Sequence, residues 1–180
     1  MITSDLNKVM RAYNYAVKCH TETNHTYDGK HYSIHLKMVY DIALEHIKMI
    51  PLDSVEIVLS ACCTHDVIED CRQTYNDVKA ELGEDIANIV YALSNEKGKN
   101  RKERASDLYY FGIRNTAWAT YVKFCDRLAN VKYSKDTNSK MLSVYQKENS
   151  DFVKSLCPDN NSLHNYNKMI LELDYLLGVS

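Results

Sequence analysis

The stretch ACCTHDVIED, residues 61–70, sets His65 beside Asp66 and follows them one turn later with Glu69 and Asp70. Carboxylates crowded this closely repel one another unless a cation sits among them. Two distant residues have the same character. His35 stands at the start of an apolar-patterned segment, and Asp126 lies in VKFCDRLANV among Val122, Phe124, Leu128 and Val131. A carboxylate on that side of a helix needs a partner, because an unpaired buried charge costs on the order of several kcal/mol. Two His and two Asp make a ligand set suited to Mn²⁺, Fe²⁺ or Zn²⁺. Neighbouring His and Asp cannot share one helix face, so His65 and Asp66 can converge on an ion only where a helix ends or by flanking the ion. Each residue also has an ordinary reading. Asp126 can pair with Arg127 or a lysine, and Glu69 and Asp70 can be solvated carboxylates at a helix end.

The elements that must position these groups read as helices. Glycine (5) and proline (2) are scarce, and apolar residues recur with a 3.6-residue period. The expected fold is therefore all-α. A first helix follows Thr3 or Ser4, with Leu6, Val9, Met10, Tyr13 and Val17 as its apolar stripe. ETNHTYDGKHYS (22–33) reads as a polar loop that turns at Asp28-Gly29. A second helix covers about 35–49 and ends at Pro51. Asp53 reads as an N-cap, with Glu56 as its capping-box partner. The helix after it is apolar on nearly all sides (Val55, Ile57, Val58, Leu59, Ala61, Cys62, Cys63), which marks it as central. Thr74 caps a short helix that Gly83 ends, and 86–93 form another. Helices at about 102–111, 115–133, 140–156 and 162–177 complete the chain, with Trp118 in the core.

With 180 residues, 45% of them hydrophobic and 26% charged, residues 1–180 read as a single domain with a real core. A formal net charge of -2 argues against binding polymeric nucleic acid. The cysteines (Cys19, Cys62, Cys63, Cys71, Cys125 and Cys157) include no C-x-x-C pair. They are expected to be reduced and buried, which suits a cytoplasmic protein. The N-terminus lacks a basic segment followed by an apolar block, so no signal peptide is expected. No stretch approaches about 18 apolar residues, so no membrane span is expected either.

Three segments together resemble a known family. YSIH (32–35), ACCTHDVIED and VKFCDRLANV are similar to the core motifs of the RelA/SpoT-type HD-domain hydrolases, roughly PYI-x-HP, LLHDVVEDT and KLADRLHN. TYNDVKAELGEDIANIVYALSNEKG resembles the family's link between the second and third motifs, and the likeness covers about residues 8–156. It implies a compact HD-domain helical bundle around a metal site. It implies removal of the 3′-pyrophosphate of (p)ppGpp, a small phosphorylated nucleotide, by attack of a metal-bound water, usually with Mn²⁺. By position, the resemblance makes His35, His65, Asp66 and Asp126 the metal ligands. It makes Glu69 and Asp70 the pair that handles the water, and Asn130 a contact to the sugar. A chain of 180 residues leaves no room for the family's synthetase domain, so the likeness is to its small stand-alone members. The chemistry agrees, since a divalent ion acidifies a bound water and polarises a phosphoryl oxygen. Glu69 is one turn after His65, and Asn130 one turn after Asp126.

The sequence departs from the family around the base pocket. An Arg-Lys pair, whose Arg stacks on guanine, usually precedes the first ligand His by nine and eight residues; here those positions hold Thr26 and Tyr27. Tyr27 can stack on a base but brings no charge to a phosphate. Lys30 is the substrate-binding candidate that can compensate, with His25 and His31 nearby, and Tyr32 of the first motif is a further one. The prolines that flank the motif are His31 and Leu36 here. Two other readings stay open: the same centre acting on another phosphorylated nucleotide, such as the 2′-phosphate of NADPH or a nucleotide phosphoester, and a catalytically silent nucleotide-binding protein. The run with Lys97, Lys99, Arg101, Lys102 and Arg104 is either a phosphate clamp or a solvated loop. Lys132 and Lys135 are further phosphate candidates, and Tyr145, Lys147 and Glu148 can face the site from the next helix. Nothing in the sequence sets an oligomeric state.

Overall fold

A computed structural model describes residues 2–94 and 106–179, with side chains from residue 7 onward. The basic run Lys97, Lys99, Arg101, Lys102 and Arg104 lies outside the described residues, as does the side chain of Leu6. Helix α1 (Ile2–Glu22) buries Val9, Ala12, Ala16 and Cys19. This face differs from the expected stripe, for Met10 is 57% exposed. The reason is close packing. The small side chains of Ala12, Ala16 and Cys19 let α1 lie directly on α3 (Val55–Thr64), the partner it contacts most.

The expected polar loop is a short hairpin. Strands β1 (Thr26–Tyr27) and β2 (Lys30–His31) pair antiparallel, with Tyr27 opposite Lys30. Asp28 (φ 51°) and Gly29 (φ 73°) both adopt positive φ, as the two central residues of a type I′ hairpin turn do. Helix α2 (Ser33–Glu45) then starts two residues before His35, and a 3₁₀ turn (Ile47–Met49) takes the place of its expected last turn. Asp53 does not cap α3. The N-cap is Ser54, without a side-chain cap bond; Asp53 accepts from the Ser54 hydroxyl at 3.1 Å, and Glu56 pairs with Lys8 at 3.2 Å.

Helix α3 is buried without a break from Val58 to Thr64, and a short α4 (Val67–Asp70) follows it. Thr74 caps α5 (Tyr75–Leu82) in a capping box with Asp77, and Gly83 (φ 97°) separates α5 from α6 (Glu84–Leu93). Helix α7 (Asp107–Arg114) is capped by Ser106. Trp118 (φ 66°) is half-buried against the core, not within it, and delays α8 (Ala119–Asp136) by several residues. Helices α9 (Met141–Leu156) and α10 (Asn160–Leu177) complete the bundle.

Helix α8 is the second central element. It packs against α2, α3, α6, α9 and α10 and buries Tyr121, Val122, Phe124, Cys125, Leu128, Ala129 and Val131. The Tyr121 hydroxyl donates to the Ala43 carbonyl at 2.8 Å and ties α8 to α2. This packing brings the start of α2, the end of α3 and the middle of α8 together. Leu128 has no exposed surface and lies between Asp126 and Asn130 in sequence. Leu128→Ala is therefore expected to cost about 2–5 kcal/mol, read as a lower urea midpoint of unfolding.

Candidate metal centre

Helix α3 ends at Thr64, and its geometry explains how neighbouring His65 and Asp66 serve one site. His65 is the C-cap of α3, and Asp66 is the N-cap of α4. The break turns both side chains toward the same point. His65 Nε2 is 2.9 Å from Asp66 Oδ2, 3.3 Å from His35 Nε2 and 3.8 Å from Asp126 Oδ1. His35 Nε2 is 3.3 Å from Asp126 Oδ1 and 3.6 Å from Asp66 Oδ2. One donor atom each from His35, His65 and Asp126 lies within 4.8 Å of the other two. Ligand atoms about 2.1 Å from one ion stand roughly 3–4 Å apart, so the donor set suits a divalent cation. His65 supports this fit with its outer nitrogen: Nδ1 donates to the Cys62 carbonyl at 3.0 Å and leaves Nε2 facing the other donors.

The electrostatics favour the same reading. Burial alone would lower the pKa of His65, but the charge and hydrogen bond of Asp66, together with Asp126, lift it to about 9. Burial would raise Asp66, yet His65 pulls it below the usual carboxylate range. Asp126 behaves likewise: burial opposes ionisation, and Lys123 and the two imidazoles overcome it. Both carboxylates are also oriented. The Tyr32 hydroxyl donates to Asp66 Oδ2, and Asn130 Nδ2 donates to Asp126 Oδ1 at 2.5 Å.

Beside this cluster lies a cleft of about 670 Å³. Glu69 and Asp70 line it, with Asp70 half-buried and Glu69 exposed at the rim. Burial raises the pKa of Asp70 to about 7, with the charges of Asp66 and Glu69 adding to the effect. Tyr145, Lys147 and Glu148 of α9 also face the cleft. Tyr27, Tyr32 and Asn130 line the cleft as well, and each is also engaged by the protein. Tyr27 stacks on His35 (centroids 4.7 Å apart, planes at 10°) and donates from Oη to Asn130 Oδ1 at 2.8 Å. Asn130 thus has both ends of its amide engaged by the protein, and Tyr32 is turned onto Asp66. Lys30 does not line the cleft: its exposed ammonium lies over the Tyr133 ring at 5.3 Å. Lys132 pairs with Glu45 and Glu172, both at 2.8 Å, and Lys135 lies over Tyr175 at 5.3 Å, so neither reaches the cleft.

Two cleft cations, Lys123 and Arg127, were not among the expected substrate contacts. Lys123 Nζ is 3.3 Å from Asp126 Oδ2 and 5.8 Å from the Tyr109 ring centroid. Arg127 lies between the rings of Tyr145 (4.8 Å) and Phe152 (4.2 Å) and pairs with Glu148 at 3.3 Å. Of the partners offered for Asp126, the structure selects a lysine and not Arg127. The signal was present, since Lys123 and Asp126 are three apart on one helix face.

No family model matches the chain. In sequence it is 29% identical over 77 residues to the guanosine-3′,5′-bis(diphosphate) 3′-pyrophosphohydrolase MESH1 of Drosophila melanogaster, a match covering 43% of each chain. It is 29% identical over 75 residues to the protein of the same name from Xenopus tropicalis, covering 42% of each. It is 30% identical over 128 residues to a guanosine-3′,5′-bis(diphosphate) 3′-pyrophosphohydrolase of Aquifex aeolicus, covering 69% of this chain and 17% of that one. The matched stretches therefore span less than half the length of these relatives. In fold, the chain is similar to a structure described under the words "A metazoan ortholog of SpoT hydrolyzes ppGpp and plays a role in starvation responses". The TM-score is 0.70 at 21% identity, and 95% of this chain and 94% of that one are covered. The all-α fold and the likeness to RelA/SpoT-type hydrolases are borne out.

Two outcomes are expected. A divalent cation at about 100 times its Kd stabilises the fold by about 2.7 kcal/mol, a rise in Tm of roughly 5–10 °C for a chain of this size; chelator reverses the rise, and His65→Ala removes it. The second concerns Asp70 in chelator. Its folded-state pKa of about 7 lies above the ordinary carboxylate value of 3.8, so its contribution to stability falls as pH rises across that window. Asp70→Asn should raise Tm at about pH 8 and leave it unchanged near pH 4, as thermal melts followed by circular dichroism will report.

Proposed function

We propose that the chain is a metal-dependent phosphohydrolase that removes the 3′-pyrophosphate from guanosine-3′,5′-bis(diphosphate), with Mn²⁺ as its ion. The observation that carries this reading is the convergence of His35 on α2, His65 at the end of α3 and Asp126 on α8 beside a cleft that also holds Glu69 and Asp70. The names of the sequence relatives supply the substrate. His35, His65, Asp66 and Asp126 hold the ion, and their mixed nitrogen and oxygen donors suit Mn²⁺, with Fe²⁺ and Zn²⁺ as alternatives. When bound, a divalent ion lowers the pKa of water and polarises a phosphoryl oxygen.

The remaining roles belong to the chain's own side chains. Asp70, with a pKa of about 7, is matched to take a proton from the attacking water near neutral pH. Glu69, at the rim, orients that water. As the new oxygen–phosphorus bond forms, the bond from phosphorus to the ribose 3′-oxygen breaks. Pyrophosphate leaves, and the 3′-oxygen takes up a proton. Lys123 and Arg127 line the same cleft and offset the negative charge of the phosphates. The six cysteines are free and buried, which fits a reducing, cytoplasmic setting. Among the described residues no helix is long and apolar enough to cross a membrane.

One observation favours a second reading. Tyr27 brings no charge to a phosphate and Lys30 faces away from the cleft, so the same centre can serve another nucleotide, such as NADPH through its 2′-phosphate. A substrate panel with Mn²⁺ tests both. Pyrophosphate release from ppGpp is expected, with His65→Ala losing metal and activity together. Glu69→Gln and Asp70→Asn should keep the metal and lose roughly 10²–10⁴ in kcat. Phosphate release from NADPH alone would move the assignment to the second reading. No release from any nucleotide by the metal-loaded chain would leave a silent nucleotide-binding protein.

A further inference from the structure

The two imidazoles of the centre are held in different ways. His65 is fixed by its Nδ1 bond to the Cys62 carbonyl. His35 is 1% exposed, and its Nδ1 has no hydrogen-bond partner among the described residues. A ligand histidine ordinarily gains its orientation from an acceptor at that second nitrogen. Here an aromatic plane stands in that role, with the Tyr27 ring lying nearly parallel on the imidazole at 4.7 Å.

Tyr27 is itself fixed from two sides. Its hydroxyl donates to Asn130 Oδ1, and its ring meets the edge of Tyr133 at 4.9 Å and 70°. The hairpin turn beside it is pinned as well, since Tyr133 Oη donates to Asp28 Oδ2 at 2.8 Å. Asp126, Asn130 and Tyr133 are spaced by four and three residues on α8 and so share one face. The amide that receives the Tyr27 hydroxyl also donates to Asp126. A continuous path thus runs from the His35 ring through Tyr27 and Asn130 to Asp126, joining α2 to α8 through a hairpin that contributes no ligand of its own.

We infer that Tyr27 is a positioning residue of the metal centre: its ring sets the plane of His35 in place of a hydrogen-bond acceptor, and its hydroxyl sets Asn130 and through it Asp126. The role depends on the ion-binding part of the proposal above and not on its substrate.

The test is Mn²⁺ binding by calorimetry on the full chain, beside the visible absorption of the Co²⁺-loaded protein. Tyr27→Leu, without a ring, should weaken Mn²⁺ roughly 10–100-fold and alter the Co²⁺ bands. Tyr27→Phe keeps the ring and loses only the hydroxyl bond. It should recover most of the affinity, within about tenfold of wild type, with the Co²⁺ bands restored. If Tyr27→Leu fails to fold by circular dichroism, Tyr27→Met fills similar volume without a ring and carries the same expectation. Wild-type affinity and Co²⁺ bands in the ringless variant, even with a lower Tm, would reduce Tyr27 to a packing residue and overturn the role. So would a wild-type chain that takes up neither ion. Pyrophosphate release is a separate readout, and its absence from a chain that binds Mn²⁺ overturns the hydrolase reading alone.

Discussion

Two imidazoles and two carboxylates, with the nitrogens 2.9–3.8 Å from the carboxylate oxygens, form the arrangement on which the rest of the bundle depends. Burial penalises each charged form, and removing any one partner leaves the others uncompensated. The protein answers with local partners: a proton held on His65, the Lys123 ammonium beside Asp126, and neutral donors from Tyr32 and Asn130. A divalent cation can take over the work of the proton on His65, because the same donor atoms face the same point. Charge crowding of this kind is a stability burden that functional sites commonly carry.

The layer behind the ligands is aromatic and uncharged. His20 stacks on Tyr32 at 3.9 Å, and His25 stacks on the same ring at 4.3 Å. Burial lowers the pKa of His20 to about 3, so that ring is neutral at physiological pH. Its Nδ1 meets that of His25 at 2.9 Å. Planar groups packed this way hold Tyr32, and through it Asp66, without adding positive charge that would compete with an ion. Tyr27 does the corresponding work on the side of His35. The wall of the cleft differs in kind, for there Lys123, Arg127 and Lys147 stand among carboxylates.

Local signals made much of the scaffold legible. Scarce glycine and proline, 3.6-residue periodicity, the Thr74 cap and the Gly83 stop all act within a few residues, and the helices they mark are present. The apolar character of 55–63 identified the central helix, because a helix with no polar face has nowhere to lie but inside. Where a local signal had rivals, it misled. Asp53 reads as the cap of α3, but the path of the chain puts Ser54 in that place. Along α1, Met10 is the more hydrophobic choice, yet Ala12 and Ala16 face the core because α3 approaches too closely for larger side chains.

The same division runs through the site. Residue type marked His35, His65, Asp66 and Asp126 as candidates, and the resemblance of three ordered motifs made them a set. That His65 and Asp66 can meet only at a helix end or by flanking the ion rests on what a helix face can and cannot share. Only the tertiary structure decided that Lys123 and not Arg127 answers Asp126, that Tyr27 lies on His35 with its hydroxyl on Asn130, and that Lys30 turns away. Tyr27 and Asn130 are 103 residues apart, and Tyr133 and Asp28 are 105 apart. Side-chain direction across a tight hairpin is set by what packs against it, and here that is a helix lying more than half the chain away.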